Sequence, residues 1–164
     1  MTTVTICLSP LAWKVLRRDY RYDGSAVDIS GSWLYHLLTS CLRRTETRTA
    51  AECRKKPVGL VAGRIYISDY DDARYGHFVR LDRQAAISNT ICAIERDNLC
   101  RLIAAMTAFG HVSRRAATLF YLDKFDYSES EINYEKIRQH YKRHYLHVEQ
   151  SYIKDFQAIN QHES

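Results

Sequence analysis

Three histidines near the carboxyl end of the chain have a spacing suited to metal chemistry. His140, His144 and His147 are four and three residues apart, which places them on one face of a helix. Three imidazoles and a water molecule can form the shell of a catalytic zinc ion. A single helix rarely supplies such a shell, and Lys142 and Arg143 would repel a cation there. We therefore expect no bound metal and interpret the histidines as facing solvent or nucleic acid.

The same segment carries side chains suited to binding DNA. Residues 113–145 have the layout of a helix-turn-helix, with Ser113 as the cap of a first helix and a Ser128/Glu131 capping box before a second. The alternative is an ordinary helical hairpin with a solvated basic face, because the turn at 126–130 is longer than usual. The predicted DNA contacts are base edges for Arg138, Gln139 and Arg143, and phosphates for Arg114, Arg115, Lys136 and Lys142.

The excess of positive charge lies in the first half of the chain. The net charge is +5, and residues 1–84 hold fourteen Lys and Arg against nine Asp and Glu, whereas residues 85–164 hold ten of each sign. Residues 45–57 lack apolar periodicity and predict a basic surface loop. A basic surface attracts polyanions, although it also serves solubility alone. The predicted phosphate contacts of this region are Arg43, Arg44, Arg54, Lys55 and Lys56.

Motifs of the common enzyme classes are missing from the sequence. It has no phosphate-binding loop, dinucleotide fingerprint, nucleophile elbow or zinc-protease motif. Asp69, Asp71 and Asp72 suggest a cation site, but their spacing does not match a calcium-binding loop. We expect neither enzymatic activity nor a cofactor; the alternative is an enzyme, metal-dependent through the face of His140, His144 and His147.

The elements of the N-terminal half alternate between strands and helices. Residues 3–8 alternate apolar and polar side chains, which predicts a half-buried strand, and Ser9 and Pro10 then begin a helix that ends near Tyr20. A second helix over 33–44 follows a serine cap at 30 or 32. Residues 60–68 and 76–81 are predicted to pair as a β-hairpin.

The first strand and the two helices after it resemble in outline a ribbon-helix-helix DNA-binding module. The resemblance implies that Thr3, Thr5 and Cys7 face the DNA groove from the two-stranded ribbon of a dimer. The match covers about a quarter of the chain, and the segment 19–29 is too long for the interhelical turn of that family. The alternative is a strand that completes a small sheet with the hairpin.

The C-terminal half is predicted to be entirely helical. The first helix ends at Gly110, the second covers 114–125, and the last runs from about 132 to about 159 without a break. An apolar stripe follows the last helix at steps of three or four residues, so we expect this helix to mediate homodimerisation. The stripe consists of Ile137, Tyr141, Tyr145, Val148, Tyr152, Phe156 and Ile159.

These patterns predict an α+β fold that is predominantly α. Residues 1–84 form a small part with a strand, a hairpin and two helices, packed on a three-helix unit at 85–164. We expect a DNA-binding regulatory or accessory protein that acts in transcription regulation; the alternative is an assembly module that dimerises through the tyrosine-rich last helix and binds no nucleic acid. Five scattered cysteines and the lack of a long apolar segment favour a cytoplasmic protein without membrane contact.

Overall fold

The protein has an α+β fold in which helices predominate, as the sequence predicts. The structure, a computed structural model, describes residues 1–44, 59–110 and 112–162. It divides into two units, Met1–Cys92 and Ala93–Ser164, here named the N-terminal unit and the C-terminal unit. The division falls within a continuous helix, eight residues beyond the end of the segment 1–84.

The described residues form six strands and seven helices. The strands are β1 (Thr2–Leu8), β2 (Arg21–Tyr22), β3 (Val27–Asp28), β4 (Leu42–Arg43), β5 (Val61–Ile67) and β6 (Phe78–Val79). The helices are α1 (Pro10–Asp19), α2 (Trp33–Cys41), α3 (Asp69–Tyr75), α4 (Leu81–Gly110), α5 (Arg114–Lys124), α6 (Tyr134–His144) and α7 (Leu146–His162). None of these helices combines the length and the apolar composition of a bilayer-spanning segment.

Strand β1 lies at one edge of a four-stranded sheet with the order β1-β5-β3-β2. It pairs with β5 in antiparallel register over its whole length, and β5 pairs in parallel with β3 at Ile65 and Val27. The predicted alternation is confirmed, because Val4, Ile6 and Leu8 are fully buried on one face of the sheet.

The predicted hairpin between residues 60–68 and 76–81 is wrong. Strand β5 pairs with β1, and β6 pairs with β4 in a separate two-stranded sheet. The connection folds instead as α3, which begins where the Ser68 hydroxyl accepts a hydrogen bond from the Asp71 backbone N–H at 3.0 Å. Three aspartates in the first turn favour this helix, since negative charge is stabilising at a helix N-terminus.

The arrangement that the resemblance to a ribbon-helix-helix module implies for β1 is wrong. One edge of the strand is paired with β5 of the same chain. On the other side, the Cys7 backbone N–H donates to Gln84 Oε1 at 2.7 Å, and the Ser9 N–H donates to Ser88 Oγ at 3.0 Å. The strand therefore completes a sheet within the chain, as the alternative to that module predicts, although its partner β5 does not belong to a hairpin.

Helix α1 packs on the inner face of this sheet through Trp13, which is 3% exposed. Its indole N–H donates to the Val61 carbonyl oxygen at 2.7 Å. The ring occupies the space above Gly63, where an added Cβ would lie 2.3 Å from a ring carbon. A glycine in the middle of β5 is thus required by the close approach of the indole.

The last predicted helix is divided in two at Tyr145. Its backbone leaves helical geometry there, with φ −123°, and α7 begins at the next residue. Helix α6 begins at Asn133, whose side chain accepts from the Lys136 N–H at 3.1 Å. Of the predicted Ser128/Glu131 box, the structure shows the hydrogen bond from the Ser128 N–H to Glu131 Oε2 at 2.9 Å, whereas the Ser128 hydroxyl donates to the same oxygen and the pair lies in a turn ahead of this helix.

Candidate functional site

The outer face of α6 presents the exposed polar residues of the predicted DNA-reading segment. Lys136, Gln139 and Arg143 are at positions i, i+3 and i+7, which lie on one side of a helix, and all three are exposed. Within the described part of the chain, no carboxylate forms an ion pair with Lys136 or Arg143. We name these three residues the outer face of α6.

Arg138 and Lys142 lie on a different side of the same helix. Arg138 donates from Nε and Nη2 to the two carboxylate oxygens of Glu135 at 2.8 and 2.7 Å. Lys142 is exposed and is four residues, about one turn, further along. Gln139 Nε2 also donates to Glu135 Oε1, at 3.2 Å, so Arg138 and Gln139 share this carboxylate, whereas Arg143 has no such contact among the described residues.

Arg114 is paired with a buried carboxylate, although its own side chain is 51% exposed. Its Nε and Nη2 each donate to Glu149 at 2.7 Å, and the Glu149 side chain is only 5% exposed. The Tyr141 hydroxyl also donates to Glu149. Hydrogen bonds from Arg114, more than those from Tyr141, lower the pKa of Glu149, although burial opposes them. Arg115, the next residue, is exposed.

A second buried carboxylate in the C-terminal unit belongs to Glu95, which is 1% exposed. It accepts hydrogen bonds from the hydroxyls of Tyr121 and Tyr127 at 2.6 and 2.8 Å. Burying a carboxylate is costly unless it is hydrogen-bonded, so the tyrosine hydroxyls are required here. Sequence reasoning missed both buried glutamates, because no local pattern marks them: the donors to Glu95 are 26 and 32 residues away, and those to Glu149 are 8 and 35 residues away.

The histidines of the C-terminal unit divide between different environments. His140 Nε2 lies 3.0 Å from Asp97 Oδ1 on α4, and the His140 and His144 rings are 4.7 Å apart. Among the described residues, no three histidine, cysteine or acidic side chains come together as a metal-binding group. The contact with Asp97 fastens α6 to α4.

The three aspartates of α3 are directed to different partners. Asp69 contacts the chain's terminal amine at 3.3 Å, Asp71 accepts from the Tyr35 hydroxyl at 2.5 Å, and Asp72 lies 3.0 Å from His77 Nδ1. Hydrogen bonds lower the pKa of Asp69 and of Asp71. These carboxylates thus have local structural contacts in place of a shared centre.

The N-terminal unit exposes Arg43 and Arg44 and, on α3, an arginine beside two exposed tyrosines that sequence reasoning overlooked. Arg43 and Arg44 are exposed, and Arg44 donates to the Ala73 carbonyl oxygen at 2.9 Å. The Arg74 guanidinium lies 5.7 and 5.1 Å from the ring centroids of Tyr70 and Tyr75. The spacing of these residues along α3 is a signal that could have identified the cluster. Arg54, Lys55 and Lys56, with the predicted loop 45–57, lie outside the described residues.

A cavity of about 270 Å³ opens within the C-terminal unit, among α4, α5, α6 and α7. Its apolar side is formed by Ile103, Ile137 and Leu146. Its polar side is formed by Arg114, Thr118, Tyr134, Arg138, Tyr141 and Lys142. Three cations and, among the described residues, no carboxylate line this space, so its wall favours an anion.

Comparison of the chain with protein-family models, curated proteins and solved structures finds no match. The proposals below therefore depend on the side-chain geometry alone.

Proposed function

We propose that the protein binds DNA and acts as a regulatory or accessory protein, with transcription regulation as its setting. The observation that carries the proposal is the outer face of α6, where Lys136, Gln139 and Arg143 share one exposed side of a helix. Lysine and arginine contact phosphates, while glutamine and arginine can pair with base edges. The free thiols of Cys7, Cys41, Cys92 and Cys100 are compatible with the cytoplasm.

The exposed basic residues of the N-terminal unit support the same proposal. Arg43 and Arg44 would neutralise phosphates, and Tyr70, which is 65% exposed, offers a ring on which a base can stack. The proposal does not require a helix-turn-helix, since nine residues separate α5 from α6, whereas that motif has a turn of three or four.

The double variant Lys136→Gln/Arg143→Gln tests the outer face of α6. We expect it to weaken binding to random-sequence duplex DNA and to reduce the slope of log K against log salt by about 2, because on random sequence both cations would contact phosphates and each lost phosphate contact contributes about 0.9. Fluorescence anisotropy over a series of salt concentrations measures both quantities.

The matched control is Arg96→Gln/Lys154→Gln, which removes one arginine and one lysine from exposed positions of α4 and α7 in the same unit. Its salt slope should stay close to that of the unchanged protein. Equal losses in the two double variants, or equal affinity of the unchanged protein for heparin and duplex DNA, would contradict a specific interface and leave only general charge attraction.

The second candidate function is an assembly module that dimerises through the last helix. Tyr141 and Tyr145 of the predicted stripe are 4% and 8% exposed, so their own unit already covers them. The observation that favours this candidate is further along the last helix, at the half-buried Tyr152, whose ring centroid lies 5.6 Å from that of Phe109, a residue of α4 that is 48% exposed. Tyrosine is one of the residue types enriched among interface anchors.

Tyr152→Lys tests this second candidate by placing a charge in the aromatic pair of Phe109 and Tyr152. If the pair forms a dimer contact, sedimentation equilibrium should show that the variant is monomeric at concentrations where the unchanged protein is dimeric, with at least a tenfold weaker association. Tyr70→Lys, in the N-terminal unit, is the control with the same chemistry. A monomeric unchanged protein, or equal association of both variants, would eliminate the candidate.

A further inference from the structure

The cavity of the C-terminal unit combines cations that differ in how firmly they are held. Arg114 is fixed by the buried carboxylate of Glu149. Arg138 and its partner Glu135 are 63% and 49% exposed, and a solvent-exposed ion pair contributes about 0–1 kcal/mol, with a bidentate arginine towards the upper end. An anion in the cavity that accepts from Arg138 in place of Glu135 therefore has to offset about 1 kcal/mol, whereas Arg114 remains paired with the buried Glu149.

Arg138 and Lys142 provide two positive charges at the mouth of this cavity. They are four residues apart on α6, so their side chains are neighbours on the helix surface. Like charges at this spacing repel each other, and an anion between them replaces repulsion with attraction. Two available cations match a dianion, such as a phosphate monoester, better than they match a monoanionic carboxylate.

The rest of the lining fits a small apolar body next to that charge. Ile103, Ile137 and Leu146 form an apolar side, and the Tyr134 ring lies among the polar residues. A volume of about 270 Å³ is large enough for one ring with its substituents, since a cavity of about 150 Å³ accommodates benzene. It is too small for a peptide or for several nucleotides.

We propose that this cavity binds a small phosphomonoester with a ring-sized apolar body. Arg138 and Lys142 hold the phosphate, and Ile103, Ile137 and Leu146 contact the body. The site is separate from the outer face of α6, so this inference does not depend on DNA binding.

Phenyl phosphate is the probe for the full chain, and isothermal titration calorimetry measures its affinity. Inorganic phosphate lacks the ring, and benzoate has the ring but only one negative charge. We expect phenyl phosphate to bind at least about tenfold more tightly than either, because only this probe uses both the cations and the apolar side. No measurable binding of phenyl phosphate at millimolar concentration would overturn the proposal.

Lys142→Gln and Arg138→Gln should each weaken phenyl phosphate binding by about tenfold or more, since each removes one charge-assisted hydrogen bond. Both side chains are exposed, so both variants should fold, and circular dichroism checks this. Arg143→Gln, one residue beyond Lys142 but on the outer face of α6, is the matched control and should bind phenyl phosphate normally. An equal loss in all three variants would contradict the assigned site.

The two sites of α6 can be told apart with the same proteins. Lys136→Gln/Arg143→Gln should lose duplex affinity and keep phenyl phosphate binding, so failure of the DNA proposal leaves this test intact. If an oligonucleotide displaces phenyl phosphate only when it carries a 5′ phosphate, the ligand of the cavity is the phosphorylated end of a nucleic-acid strand. If no oligonucleotide displaces phenyl phosphate, the ligand is a free small molecule.

Discussion

Gly76→Ala should lower the free energy of unfolding of the N-terminal unit by about 3 kcal/mol or more. Gly76 ends α3 with φ 87° and ψ −176°, a region of backbone geometry that is essentially restricted to glycine. An added Cβ would also lie 2.4 Å from the Arg43 carbonyl oxygen, so the backbone of one segment would have to move. Strain and overlap therefore act together at this position.

Gly24→Ala separates these two effects. Gly24 has φ 92°, but an added Cβ there would meet no atom within 4 Å, so this variant carries only the conformational cost of about 1–2 kcal/mol. Urea unfolding followed by tryptophan fluorescence is the appropriate measurement, because both tryptophans, Trp13 and Trp33, are in the N-terminal unit. If Gly76→Ala cost no more than Gly24→Ala, the close approach to Arg43 would be disproved.

Arg114→Gln is expected to destabilise the C-terminal unit by about 2 kcal/mol at neutral pH. The variant leaves Glu149 buried without its arginine. Removing one partner of a fully buried ion pair costs about 3–5 kcal/mol, and the smaller value follows because the Arg114 side chain is 51% exposed and partly screened by water. Thermal unfolding followed by far-ultraviolet circular dichroism measures the difference.

The effect of Arg114→Gln should depend on pH in a defined direction. The pKa of Glu149 is lowered in the folded protein, chiefly by the hydrogen bonds from Arg114. A carboxylate of this kind stabilises the fold above its unfolded-state pKa of about 4.3, and this contribution is lost as the pH falls through the lower, folded-state pKa. The difference between the two proteins should therefore be full at pH 6–7 by this reasoning and should shrink below about pH 4.

Arg115→Gln is the control for this variant, because it removes the same charge one residue away. Arg115 is exposed, and no described carboxylate pairs with it, so its loss should change the stability by less than about 0.5 kcal/mol. Similar destabilisation by the two variants would show that net charge matters here and that the contact with Glu149 does not.

Sequence reasoning succeeds where one side chain determines the local structure. Ser9, Ser32 and Ser113 each accept a hydrogen bond from a backbone N–H three residues later and so cap a helix. Ser9 and Ser113 were predicted as caps, and Ser32 was one of two positions predicted for the cap of the second helix. The alternation of β1 likewise identifies its buried face, because strand geometry alone fixes which residues point inwards.

It fails where a distant residue determines the structure. The partner of β5 is β1, about 60 residues earlier, and no pattern in either strand specifies this choice over a hairpin. The break at Tyr145 is likewise not marked in the sequence, since neither proline nor glycine is present there. In a continuous helix Tyr141 and Glu149 would be about 12 Å apart along the axis, and the break allows the hydroxyl to reach the carboxylate.

The candidate sites were predictable only as residue types. The charges of α6 are evident in the sequence, but the division between its outer face and the cavity depends on which side packs against the unit. Ile137, at 2% exposure, defines that packed side. Arg114 also shows what charge alone leaves out, since its guanidinium is paired with Glu149, 35 residues further along the chain, and the phosphate contact predicted for it stays a prediction.

Three tyrosines of the C-terminal unit have hydroxyl groups that the buried carboxylates require. Of twelve tyrosines, Tyr121, Tyr127 and Tyr141 use their hydroxyls to solvate the buried acids Glu95 and Glu149 in place of water. Phenylalanine would fill the same volume but could not perform this solvation. A substitution of tyrosine by phenylalanine at any of these three positions should therefore destabilise the fold. The exception is a double variant in which the glutamate that the hydroxyl contacts is also replaced, by a neutral residue.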